Sequence, residues 1–173
     1  MSNKYIEINA NSYFFKILNC ARKGSSDAQI KLGKMYEDGD GVEQDLVQAA
    51  AWYGKAAEQG HADAQNHLAT MYACSLGVTQ DLAEAVAWYR KAAEQGHADA
   101  QNHLGWMYQK GLGVSQDDTQ AVIWYCKAAK QGHIDAQNTL GCMYENGYGV
   151  LQDFDRALSC ETLCARSLSL KRS

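Results

Sequence analysis

Proline is missing from all 173 residues, so no pyrrolidine ring supplies a rigid turn or a helix stop. Glycine, present 15 times, must mark the breaks alone. Long apolar runs are missing too. In MSNKYIEINANSYFFKILNC, Glu7, Asn9, Asn11 and Lys16 interrupt every hydrophobic stretch, which leaves neither an export-signal core nor a membrane span. Clustered basic charge is a third absence: 16 Lys and Arg against 20 Asp and Glu give a net charge of -4, so no nucleic-acid partner is expected. Together these absences predict a cytoplasmic protein with no membrane partner, although delivery by a non-classical route stays open.

Chemistry-bearing patterns are also scarce. The six cysteines (20, 74, 126, 142, 160 and 164) form no C-x-x-C pair, and Cys160 and Cys164 have no nearby histidine. No zinc site and no disulfide framework is therefore expected. No S-x-x-K occurs, and no serine or cysteine is recognisably paired with a base, so no catalytic residue and no cofactor is predicted.

What the chain does contain is a period. His61–Gly96 laid over His97–Gly132 at a shift of 36 gives 24 identities in 36 positions. A period of that length is the mark of a stacked repeat architecture. The expected organisation is a flexible arm at 1–12, a degenerate capping helix at 13–24, repeats at 25–60, 61–96 and 97–132, a degenerate fourth at 133–168, and a tail at 169–173.

Within each unit Ala, Leu, Met and Tyr recur at i, i+4, i+7 and i+8, as in Ala64, Leu68, Met71 and Tyr72. That is one face of an α-helix, helix A. A glycine pair such as Gly111 and Gly113, with Ser75 in the first place in the second unit, ends it in a short turn plugged by Val42, Val78, Val114 or Val150. Asp45, Asp81, Asp117 and Asp153 then read as N-caps of helix B, with Gln48, Glu84 and Gln120 completing capping boxes and Arg156 breaking the pattern in the fourth unit. Helix B carries the Trp-Tyr pairs 52/53, 88/89 and 124/125 among alanines, and Gly60, Gly96 and Gly132 close it. In the fourth unit Cys160 and Glu161 replace the aromatic pair and Leu168 the glycine, so self-association through that end is expected.

The series Ala100, Leu104, Gly105, Met107, Tyr108, Gly111, Gly113, Val114, Asp117, Ala121, Trp124, Tyr125, Lys127, Ala128, Ala129 and Gly132 resembles the Sel-1-like repeat over roughly residues 13–165. The resemblance implies an all-α solenoid related to tetratricopeptide repeats and an adaptor that binds a protein or peptide. Cysteine-rich relatives carry a disulfide between helix B and the next helix A, at positions held here by Ala57 and Ala64, Ala93 and Ala100, and Ala129 and Ala136. Activity on cell-wall peptides or β-lactams, attributed to some of those relatives, is the alternative function.

In such a solenoid the partner face is the side of helix A turned away from its Ala/Leu/Met/Tyr stripe. At 100° per residue that side carries Asn66, His67 and Thr70, then Asp99, Asn102, His103, Trp106 and Lys110, then Asn138 and Cys142. Trp106 stands where the other units have Lys34, Thr70 and Cys142, so the shared fold does not demand an aromatic ring there. It is either an interface anchor or packed on a neighbouring A helix. The rhythm of His61, His67, His97 and His103 is attributed to duplication, because a gap of six does not put two imidazoles on one helix face as i, i+4 does, and no metal is predicted.

Overall fold

The computed structural model describes residues 13–149, which form helices and turns with no strand among the described residues. Residues 13–22 are helical (α1). Then follow α2 Ser26–Asp38, α3 Leu46–Glu58, α4 Ala62–Cys74, α5 Leu82–Glu94, α6 Ala98–Lys110, α7 Asp118–Lys130 and α8 Ile134–Asn146. The class is the all-α solenoid of helix-turn-helix repeats, with α2, α4, α6 and α8 as A helices and α3, α5 and α7 as B helices. The arm, Val150, Asp153, Arg156, Cys160, Glu161, Cys164, Leu168, the tail and the end expected to self-associate lie outside the described residues. None of the described helices is long and apolar enough to cross a membrane.

The helices gather into two compact units, one ending at Asp81 and the other beginning at Leu82. In the first, α2 packs on α3 and α3 on α4; in the second, α5 packs on α6, α6 on α7 and α7 on α8. Small and large residues alternate in both cores. Ala49, Ala56 and Ala64 have no exposed surface and Tyr53 has none; in the second unit Ala100, Ala121, Ala128 and Leu104 are equally sealed. Alanine lets two helix axes approach, and the tyrosine ring fills what remains. The fit is tight: a Cβ on Gly33 would stand 2.8 Å from the Tyr53 ring, and one on Gly105 3.0 Å from that of Tyr125.

The alanines at 57, 64, 93, 100 and 136, where the cysteine-rich relatives would be bridged, are at most 2% exposed. The joints they line are held by packing and by amides. Gln29, Gln65, Gln101 and Gln137 are the buried polar side chains of the described residues. Each Nε2 donates back across the turn to a carbonyl eight residues earlier, at Ala21, Ala57, Ala93 and Ala129 over 3.0–3.2 Å. In turn, Gln59 donates to Gln29 and Gln131 to Gln101, at 2.7 and 2.8 Å. A buried amide left unpaired costs about 1–3 kcal/mol, so this repeated pairing fixes how neighbouring helices seat within each unit.

The turns follow the glycines. After each described A helix the C-cap residue is left-handed, at φ 72, 57, 65 and 70 for Gly39, Ser75, Gly111 and Gly147. Ser75 accepts the same conformation as glycine and steadies it with a hydroxyl bond to the Val78 carbonyl at 3.2 Å. The second loop glycine has a different task. A Cβ on Gly77 would overlap the Leu46 carbonyl, and one on Gly113 that of Leu82, so each loop rests on the first turn of the B helix before it. Asp45 caps α3 by accepting from the Val47 and Gln48 amides, and Asp117 caps α7 through the Gln120 amide. The return bonds expected from the Gln48 and Gln120 side chains do not form among the described residues, because the N–H groups they would accept from, those of Asp45 and Asp117, already donate to the Tyr36 and Tyr108 carbonyls at 2.9 and 3.0 Å. That half of the capping box is corrected.

Candidate interaction face

The candidate residues lie on three A helices and divide between the two units. In the first unit, α4 carries Asn66, His67 and Thr70, all half-buried. His67 stacks on the Tyr53 ring at a centroid distance of 4.7 Å and an interplanar angle of 5°. The Tyr53 hydroxyl donates to Glu37 Oε2 at 2.6 Å, and that oxygen is 3.9 Å from His67 Nδ1. Burial, with the Glu37 carboxylate behind it, drives the phenol far above its ordinary range and holds it as a donor. Three helices thus meet in one Tyr-Glu-His cluster whose histidine side chain is 39% exposed. Thr70 spends its hydroxyl on the Asn66 carbonyl at 3.0 Å, which withdraws it from the outward surface.

In the second unit α6 carries Asp99, Asn102, His103, Trp106 and Lys110, and α8 carries Asn138 and Cys142. Asp99, Trp106, Lys110, Asn138 and Cys142 are exposed, whereas Asn102 and His103 are half-buried. The His103 ring lies 4.9 Å from that of Tyr89, and burial lowers its basicity, with Asp99 pulling the other way. Tyr125 donates to Gln109 Oε1 at 3.2 Å, the counterpart of the Tyr53–Glu37 bond with a neutral acceptor. Lys110 and Gln109 border a concavity of about 250 Å³ completed by Gln116, Asp118 and Tyr148.

Trp106 differs from the other three tryptophans. Trp52, Trp88 and Trp124 each lie beneath the ammonium of the lysine three residues on, at 3.9, 3.6 and 3.8 Å from the ring centroid. Such a cation both shields the ring and contributes about 0.5–1 kcal/mol. Trp52 and Trp124 are 7% and 8% exposed. Trp106 is 45% exposed, and no cation–π contact covers it among the described residues. Packing against a neighbouring A helix, the other possibility open from sequence, does not bury it.

Sequence reasoning missed the role of the histidine that precedes α6 and α8. His97 and His133 are N-caps, their Nδ1 atoms accepting the Ala100 and Ala136 amides at 3.2 Å. His61 holds the same place with no side-chain cap bond. Its signal was position: it directly follows the glycine that ends helix B and precedes the Ala-Asp-Ala or Ile-Asp-Ala start of helix A. The four buried glutamines were missed because apolar periodicity does not score an amide. No three His, Cys, Asp and Glu side chains converge to hold a metal among the described residues.

Comparison with known proteins adds a family. The model for the Sel1 repeat matches residues 26–61, 62–97, 98–133 and 134–160. No curated protein matches the chain. Among solved structures, a protective antigen of uropathogenic Escherichia coli displaying an SLR fold is 38% identical with a TM-score of 0.87, over 88% of this chain and 33% of the antigen. A Sel1 repeat protein from Oxalobacter formigenes is 36% identical with a TM-score of 0.83, over 92% of this chain and 62% of the other. The chain thus spans a third and somewhat under two thirds of these two proteins. Cysteine-rich protein B of Helicobacter pylori shares the fold at 21% identity, with a TM-score of 0.60 over 76% of this chain and 94% of its own.

Proposed function

Because this chain belongs to the Sel1 repeat family, whose members generally mediate protein–protein interaction, we propose that it is a non-enzymatic scaffold holding a peptide or partner helix on the outward side of its A helices. The observation that carries the reading is Trp106, a large ring 45% exposed on α6 while every other tryptophan is covered. An indole in that state is unoccupied contact area with few rotamers to freeze, which is why tryptophan is frequent among residues whose truncation weakens an interface by 2 kcal/mol or more, on the order of 30-fold.

Polar side chains around it suit an extended ligand. Asn102 and Lys110 flank Trp106 on α6 at i−4 and i+4, and on α8 Asn138 and Cys142 stand where α6 has Asn102 and Trp106. Amides that both donate and accept can pair with a peptide backbone whatever its side chains. In the first unit Asn66 and His67 of α4 stand where α6 has Asn102 and His103, and the Asn66 Oδ1 is buried without a hydrogen-bond partner. The reading makes the repeated residues scaffold and places selectivity in those that vary.

The test is selection of 12-residue peptides on the immobilised full-length protein, followed by titration of the enriched peptides against wild type and Trp106→Ala. The reading expects at least a tenfold loss of affinity with the far-ultraviolet circular dichroism unchanged. Enriched peptides that bind both proteins equally well would sink it.

A further inference from the structure

Glu37, Tyr53 and His67 come from α2, α3 and α4 and meet as one cluster in the first unit. We infer, on the scaffold reading proposed above, that this cluster seats an arginine side chain of the bound peptide or helix against the Glu37 carboxylate. Trp106 supplies apolar contact in the second unit; Glu37 supplies charge selection in the first.

The carboxylate is held in place without being neutralised. Its Oε2 accepts the hydroxyl of the fully buried Tyr53 at 2.6 Å, and burial keeps that phenol protonated behind it. His67 Nδ1 stands 3.9 Å from the same oxygen, beyond hydrogen-bond reach. No lysine or arginine pairs with Glu37 among the described residues, although its side chain is only 30% exposed. Lys31 and Lys34 of the same helix border a hollow beside Tyr13, and the Lys31 ammonium stands 4.9 Å from the centre of the Tyr13 ring. Asp38, near enough to act on the Tyr53 phenol, adds to the negative potential. A half-sheltered carboxylate of this kind has lost hydration with no ion pair to offset it, and a cation brought by a partner supplies one.

The repeat shows that the fold does not require this charge. Ala73, Gln109 and Glu145 stand at the same phase as Glu37. In the second unit the Tyr125 hydroxyl donates to Gln109 Oε1 at 3.2 Å, and Thr139 takes the place of His67. An amide therefore satisfies the buried phenol there, and the charge at Glu37 is left for another task.

The shape of the cluster suits a guanidinium. The imidazole of His67 lies 5° from parallel to the Tyr53 ring at a centroid distance of 4.7 Å, so its other face is turned away from the phenol, and its side chain is 39% exposed. A planar cation can stack on that face while its fork of N–H groups reaches the carboxylate, whose Oε1 has no partner among the described residues. An ammonium has no plane to stack, so lysine would gain the charge alone.

Titration of the ¹⁵N-labelled full-length protein with N-acetylarginine amide, followed by nuclear magnetic resonance, tests it. The shift changes should centre on the Glu37, Tyr53 and His67 amides. N-acetylcitrulline amide keeps the plane and lacks the charge, and at the same concentration it should move them roughly fivefold less, the value of one partly screened ion pair. Glu37→Gln copies the arrangement of the second unit and should reduce the arginine response by a similar factor. Equal responses to the arginine and citrulline compounds overturn the inference, as does a wild-type response in the variant or a response to N-acetyllysine amide as large as that to arginine. Should the variant fail to fold, the compounds compared on wild type decide by themselves. Peptide binding lost on Trp106→Ala in a protein that shows no arginine response would overturn this inference and leave the scaffold reading standing. An arginine response lost on Glu37→Gln, with no Trp106-dependent peptide, would do the reverse.

Discussion

Replacing Gly113 by alanine probes what sets the spacing of the repeats. Gly113 has φ +68, and a Cβ there would overlap the Leu82 carbonyl at the start of α5. Two costs then add: about 1–2 kcal/mol for a side chain in the left-handed region, and about 1–3 kcal/mol for pushing α5 away from the loop. Gly41 supplies the control. Its φ is +70, yet the nearest atom to an added Cβ is the flexible Met35 Cε at 3.6 Å. Gly41→Ala therefore incurs the backbone cost alone, and the effect of alanine on the unfolded chain is common to both variants and cancels. Urea titrations followed by circular dichroism should place Gly113→Ala below Gly41→Ala by about 1–3 kcal/mol. Equal losses from the two substitutions would refute the view that loop-to-helix contact, rather than turn conformation, sets the spacing.

Three further outcomes follow from the same geometry. Ser75→Gly should stabilise the protein by about 0.5–1 kcal/mol, because Ser75 is the one non-glycine with positive φ among the described residues and its hydroxyl bond is exposed; a midpoint in urea that stays put or falls would contradict this. Gln101→Leu leaves the buried Ala93 carbonyl unpaired and should destabilise by about 1–3 kcal/mol, and thermal melts that coincide with wild type would contradict this. Burial lowers the basicity of His103, so the unfolded chain takes up its proton first as pH falls through about 6.5, and stability is lost from there down to the folded value. His103→Gln should remove that part of the acid sensitivity, and melting curves with the same pH slope as wild type would count against it.

Much of this was legible because duplication prints the same solution several times. The Ala/Leu/Met/Tyr stripe, the glycine turns and the aspartate caps at 45 and 117 stand where the spacing puts them, since each is decided by contacts within a few residues. Roles that depend on a partner some thirty residues away were not legible. The sequence offers His133 as one more copied residue; only when α6 and α8 are seated does its ring bridge Ala136 to Asp99. Gln101 likewise gains meaning from Gln131, thirty positions on. Trp106 lay between: its departure from the repeat flagged it, but its exposure could not be derived, because an unpaired helix face is a property of the assembled stack.

The amino-acid sequence by itself therefore determined the helices, their turns and the 36-residue period, because hydrophobic periodicity, glycine dihedrals and cap chemistry act over short stretches of chain. Only the tertiary structure decided which polar groups join successive repeats, which glycines touch a neighbouring helix and which tryptophan stays uncovered. Those outcomes depend on the distance between helices, and that distance is fixed by how alanine, tyrosine and glycine pack together rather than by any one stretch of sequence.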